Sequence, residues 1–225
     1  MIISHKHKFI YFKARKVAGT STELFLNKYC GPNDVITPKK EFAGSGDFEG
    51  FYSHSEPEQI KNRLGDKKFN SYFKFINVRN PWDRVISWYW WLGCRGQGGK
   101  YSPGNFTNDK KDLSSNKNFK KFILSENILA PLKPILEWSN LDKKNIMHDY
   151  IRFENIEEDT RQVLKKLSIC ADSEYPVAHT DYRPKLILPS GKLYLKKYKD
   201  YYDEESIEIV RLRYAEDINY FGYSF

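Results

Sequence analysis

Lys13, Arg15 and Lys16 stand immediately ahead of Gly19, Thr20, Ser21 and Thr22 in the run KFIYFKARKVAGTSTELFLNKYC, residues 8–30. Cations followed by a glycine and hydroxyls at the start of a helix are the groups that hold phosphate or sulfate, because free N–H groups and the positive end of the helix dipole face the anion. The dipole contributes only about 0.3–1 kcal/mol at an exposed end, so binding there needs several N–H bonds acting with a charged side chain. A Walker loop would place its lysine just inside the helix, whereas Lys16 comes before Gly19. The same residues also suit a well-capped strand-to-helix turn with solvated lysines, and the turn alone leaves both readings open.

Three further places carry residues with chemical potential. His54 directly precedes a helix start, where the dipole disfavours imidazolium and keeps the ring neutral and able to take a proton. Arg79 leaves an apolar strand and enters a helix that carries Ser87, at the kind of sheet edge where open α/β folds bind ligands. His179 and Arg183 lie in a turn-rich segment, and His179 is the reserve candidate for a base.

The elements that must position these residues follow from periodicity and caps. A buried strand is expected over residues 8–12, then a helix over 21–30 with Thr20 as N-cap, Glu23 closing a capping box and Gly31 as its C′ glycine. Ser55 and Glu58 form a second box before a helix that ends at Gly65, with Pro57 in its first turn. A second strand spans 72–78, and Pro81 opens the aromatic helix 82–92.

Residues 93–118 are too polar for core and too long for an ordinary connection, which suggests a lid or a flexible insertion. Short helices are expected over 119–125 and 131–139, the second bent at Pro134, and a third strand over 149–153. Asn155 and Glu158 then cap a helix at 156–167. One long helix at 204–221 stops at Gly222 and turns Ile207, Val210, Tyr214, Ile218 and Phe221 to the core.

Composition limits the function classes. At 225 residues the chain suits one large domain, and its sixteen tyrosines, fifteen phenylalanines and five tryptophans can fill a sizeable core. The net charge of +8 favours an anionic partner, although lysine is spread along the whole chain and nothing beyond charge supports nucleic-acid binding. Cys30, Cys94 and Cys170 are too few and too scattered for a disulfide framework or a metal site. With no apolar run of membrane-spanning length and no leader pattern, a soluble, cytoplasmic protein is expected.

Taken together, FKARKVAGTSTE at 12–23 and FKFINVRNPWDRVISWYW at 73–90 resemble the 5′-phosphosulfate loop and 3′-phosphate motif of the sulfotransferase family, in its carbohydrate branch with bacterial relatives. The second match is the more specific, since seven residues separate Arg79 from Ser87 as the family pattern requires. Further likeness lies in the His54 segment, in DYIRFENIEED at 149–159 and at the C-terminus, so the resemblance covers nearly the whole chain as a single domain.

The resemblance implies an α/β, P-loop-like three-layer domain with a central, mostly parallel sheet flanked by helices. It implies transfer of the sulfuryl group of 3′-phosphoadenosine 5′-phosphosulfate (PAPS) to an acceptor hydroxyl, favouring a glycan, with no metal. Lys16 matches the lysine at the leaving phosphate, and Gly19, Thr20, Ser21 and Thr22 match the cradle, with Arg15 and Ala18 in the same loop. Arg79 and Ser87 match the pair that holds the 3′-phosphate, and His54 is similar to the histidine proposed as base. His179 and Arg183 are candidates on the acceptor side. Arg15 stands where the family usually has proline. The alternatives are a P-loop-type kinase, which lacks its motif here, and a non-enzymatic polyanion-binding module.

Overall fold

The structure, a computed structural model, describes residues 1–37, 50–95, 115–125, 127–178, 185–187, 193–195 and 197–225. They fall into two compact units, 1–79 with 135–178, and 80–134 with 179–225. In chain order the elements begin β1 (Ile2–Ser4), β2 (Phe9–Phe12), α1 (Gly19–Asn27), β3 (Val35–Ile36), α2 (Pro57–Leu64), α3 (Asp66–Ser71) and β4 (Phe73–Val78). They continue with α4 (Pro81–Arg95), α5 (Asn116–Ile123), α6 (Ile135–Ser139), the small ladder of β5 (Asn140–Leu141) and β6 (Lys144–Asn145), β7 (Asp149–Arg152) and α7 (Ile156–Lys166).

The first unit is built on a five-stranded sheet in the order β3-β1-β2-β4-β7. Its core is parallel, β2 with β4 and β4 with β7, and the edge strands β1 and β3 run antiparallel. Strands covered on both faces should read as continuous apolar runs, and FIYF of β2 is wholly buried along its length. On one face Tyr11, Phe75 and Ile151 pack against Phe25 and Leu26 of α1 and Val163 and Leu164 of α7. The expected α/β class, with a mostly parallel sheet flanked by helices, is the observed one.

Because β2, β4 and β7 run in one direction, their carboxyl ends share an edge: Phe12 pairs with Ile76, and Val78 with Arg152. The loop 13–18, Arg79 and Phe153 all emerge there, each directly after its strand.

Several caps differ from expectation. Helix α1 begins at Gly19, because Ala18 takes a left-handed conformation (φ 61°) and turns the chain into the helix before Thr20; no side chain caps it, and Glu23 is drawn away into a buried ion pair. It also ends at Asn27, ahead of Gly31, whose N–H donates to Asp34 at 2.8 Å. At α2 the reciprocal bond comes from Gln59 Oε1, which accepts from the Glu56 N–H at 2.9 Å, while Ser55 Oγ accepts from Tyr52 N–H. Asn155 makes no side-chain cap; instead Asp159 accepts the Arg152 N–H at 2.8 Å across a 3₁₀ turn.

The second unit contains α4, α5, a hairpin of β8 (Lys185–Ile187), inside the turn-rich stretch 176–191, and β9 (Leu193–Leu195), then α8 (Glu204–Arg213) and α9 (Ala215–Phe221). The last helix is thus two, broken at Tyr214, whose hydroxyl donates to the Leu132 carbonyl at 2.8 Å; Gly222 ends it at φ 67° as expected. Trp82, Trp88 and Trp90 are buried, and each indole N–H donates to a partner: Ile207 O, Ile128 O and the Tyr201 hydroxyl. Trp91 stacks on Trp88 at 4.8 Å. Trp82, Trp88 and Trp90 are core, with their polar edges satisfied, and Trp91 packs partly buried against them. Most of the expected insertion at 93–118, and both His179 and Arg183, lie outside the described residues.

Candidate anion-binding site

The loop between β2 and α1 is held from the side of β4. Asn77, fully buried, donates from Nδ2 to the Val17 carbonyl at 3.0 Å and to Thr22 Oγ1 at 2.7 Å. Arg79 donates from Nη1 to the Lys16 carbonyl at 3.2 Å, and its guanidinium lies 3.9 Å from the centre of the Phe153 ring. Lys16 and Ala18 both have positive φ, 62° and 61°. Left-handed residues alternating through a short loop turn successive peptides in the manner of an anion-binding nest.

Since α1 starts at Gly19, its first internal bond runs from Thr22 N–H to the Ala18 carbonyl. The donors without an intrahelical acceptor are therefore those of Ala18, Gly19, Thr20 and Ser21, one position earlier than the sequence suggested. Ser21 Oγ accepts from the Ala178 N–H at 2.9 Å, which ties the chain just before His179 to this helix end. Thr22 Oγ1 is paired with the Tyr175 hydroxyl at 2.8 Å as well as with Asn77, so its side chain braces the helix against the sheet.

Of the three cations, Lys13 is spent inward. Its ammonium pairs with Glu23, a buried carboxylate that also pairs with the α-amino group of Met1. The stem of Lys13 lies against Gly19, where a Cβ would stand 2.6 Å from Lys13 Cγ, so glycine is required by close approach. Arg15 and Lys16 are the half-buried cations of the loop itself.

His54 reaches the same loop from 41 positions away: its Nδ1 lies 2.7 Å from the Lys13 carbonyl. A carbonyl only accepts, so Nδ1 carries the hydrogen and Nε2 of the neutral ring holds the lone pair. Burial, followed by the positive charge of Arg15, pushes its pKa down to about 3. Ser87 sits half-buried on α4 in the second unit. Among the described residues no group of three or more His, Cys, Asp or Glu side chains is arranged to hold a metal, and no helix is long and apolar enough to cross a membrane.

Sequence reasoning did not single out Asn77, Phe153, Tyr175 or the Glu23–Lys13 pair. Asn77 left a signal, as the one uncharged polar residue in the FKFINV strand, on the face it shares with Phe73 and Phe75. Glu23 left the opposite one, since a glutamate after Thr20 reads as a cap until the buried lysine is known.

The first unit is thus a parallel-core α/β unit with a basic, N–H-rich loop at the carboxyl edge of its strands. The chain belongs to the sulfotransferase family, which it matches over residues 1–224. It is similar to carbohydrate sulfotransferase 14 of Danio rerio, 25% identical over 244 residues that cover 99% of this chain and 62% of that protein's length. It is also similar to an uncharacterized protein of Archaeoglobus fulgidus, 30% identical over 111 residues, 49% of this chain and 79% of the other. Among solved structures it is similar to a sulfotransferase from Alicyclobacillus acidocaldarius, with a TM-score of 0.44 and 13% identity over 93% of this chain and 92% of that one.

Proposed function

We propose that this chain transfers the sulfuryl group of PAPS to a hydroxyl of a carbohydrate, and that its two units serve one sulfotransferase domain. The observation that carries the reading is the convergence of a neutral His54, with its lone pair on Nε2, and Lys16 on one loop whose helix end offers N–H donors. When bound, the donor supplies an activated sulfuryl group attached to a phosphate.

Sulfuryl transfer moves the group in line between two oxygens, with negative charge growing on the leaving phosphate, so it calls for fixed cations and N–H donors. The Lys16 ammonium and the N–H groups of residues 18–21 meet that charge, with Arg15 beside them. Arg79 and Ser87 take the 3′-phosphate, as the family pattern implies. His54 Nε2 removes the acceptor's hydroxyl proton; a nearby anionic donor raises its pKa from about 3 and strengthens it as a base. His179 and Arg183 remain on the acceptor side. The net charge of +8 suits an anionic glycan.

The test is incubation with sulfur-labelled PAPS and a panel of desulfated glycans, simple alcohols and phenols. Label transferred to a glycan supports the reading. Transfer only to small alcohols or phenols removes the carbohydrate acceptor, and no transfer to any member removes the activity.

A further inference from the structure

Asn77 does something no other residue of β4 does: it reaches out of the strand to hold the anion loop by its backbone. Its side chain is fully buried and donates to the Val17 carbonyl at 3.0 Å and to Thr22 Oγ1 at 2.7 Å. Beside it, Arg79 holds the Lys16 carbonyl at 3.2 Å. A trans peptide points its C=O and N–H in opposite directions. With the carbonyls of Lys16 and Val17 turned toward β4, the N–H groups of Val17 and Ala18 are turned away from it, continuing the row of donors that begins α1.

The cost of this arrangement is visible. The Val17 oxygen can only accept, so the amide orientation of Asn77 is fixed, and its Oδ1 is left buried with no hydrogen-bond partner. Residues on the same face of β4, Phe73 and Phe75, are apolar. A leucine at 77 would fill the place without stranding an acceptor, so a role in packing alone does not account for asparagine.

We propose that Asn77 is a positioning residue that sets the aim of the loop's N–H groups toward the 5′-phosphosulfate end of the donor. The proposal rests on the donor reading above. It predicts that Asn77 governs the 5′ end selectively, leaving recognition of the 3′-phosphate intact.

The test is calorimetric binding of adenosine 3′,5′-bisphosphate and adenosine 3′-phosphate to the wild type, to Asn77→Ser and to Asn77→Asp. Serine is too short to reach Val17 and brings no charge; aspartate keeps the shape but sets an acceptor against the carbonyl. The affinity ratio of the two nucleotides isolates the contribution of the 5′-phosphate. Both variants should cut that ratio on the order of 10- to 100-fold, with adenosine 3′-phosphate bound as before. A ratio unchanged in Asn77→Ser, or an equal loss for both nucleotides, overturns the proposal, since general loosening would weaken both alike. Should Asn77→Asp fail to fold by circular dichroism, Asn77→Ser decides alone. No binding of the bisphosphate by the wild type would instead overturn the donor reading, and this inference with it.

Discussion

Arg79 Nη1 donates to the carbonyl oxygen of Lys16 across 3.2 Å, so the residue proposed for the 3′-phosphate also holds the loop proposed for the 5′-phosphosulfate. The guanidinium does this while lying 3.9 Å over Phe153. A planar fork can stack and donate at once, and a lysine ammonium cannot reproduce both. Arg79→Lys should therefore raise the donor's KM on the order of 10- to 100-fold despite the retained charge, as initial-rate kinetics with varied PAPS would record.

Lys16→Met removes the ammonium from the loop and leaves the stem. If Lys16 stabilises charge on the leaving phosphate, single-turnover rates should fall on the order of 100- to 1000-fold, with thermal unfolding little changed. An equal fall in product-nucleotide affinity and in rate would instead mark it as a binding residue only.

His54 makes two predictions with one cause. His54→Asn keeps a donor for the Lys13 carbonyl and removes the lone pair, so kcat should fall on the order of 100- to 10000-fold. For stability, the folded pKa of about 3 lies below the ordinary 6.5. Between those values the unfolded chain binds a proton that the folded chain does not, so stability is fully present above pH 6.5 and declines as the pH falls toward 3. Urea unfolding across that range should show a shallower decline in His54→Asn than in the wild type.

Glu23→Gln would leave the Lys13 ammonium buried beside a neutral amide. Removing one partner of a buried ion pair costs about 3–5 kcal/mol, which urea unfolding would measure. Gly19→Ala acts on the same pair from the other side: its Cβ would stand 2.6 Å from Lys13 Cγ, and Lys13 is anchored by Glu23. Overpacking there should destabilise by about 1–3 kcal/mol and weaken nucleotide binding, as melting and titration would show.

Much of this architecture is legible in the sequence where one local force decides. FIYF and FKFINV announce buried strands, and Pro81 and Gly222 sit where a helix must begin and end. The misplaced caps have different causes, and only one of them is a partner distant in sequence. Glu23 was claimed by Lys13, ten positions earlier, rather than by its own helix end, whereas at α2 the near neighbour Gln59 took the capping-box place expected of Glu58. His54 could be placed before a helix from sequence, but the contact that fixes its tautomer spans 41 positions. Asn77 went unread for the same reason, since only the parallel register of β2 and β4 brings it under Val17.

The measurement that bears most directly on the central claim is isothermal titration with adenosine 3′,5′-bisphosphate and, in parallel, with ATP, both in EDTA, on the wild type and on Arg79→Ala. The account predicts metal-independent binding of the bisphosphate, strong preference over ATP, and collapse of that binding in a folded Arg79→Ala. No binding of the bisphosphate, or equal binding of ATP, would contradict it and leave the two loops as scaffold or as a site for another nucleotide.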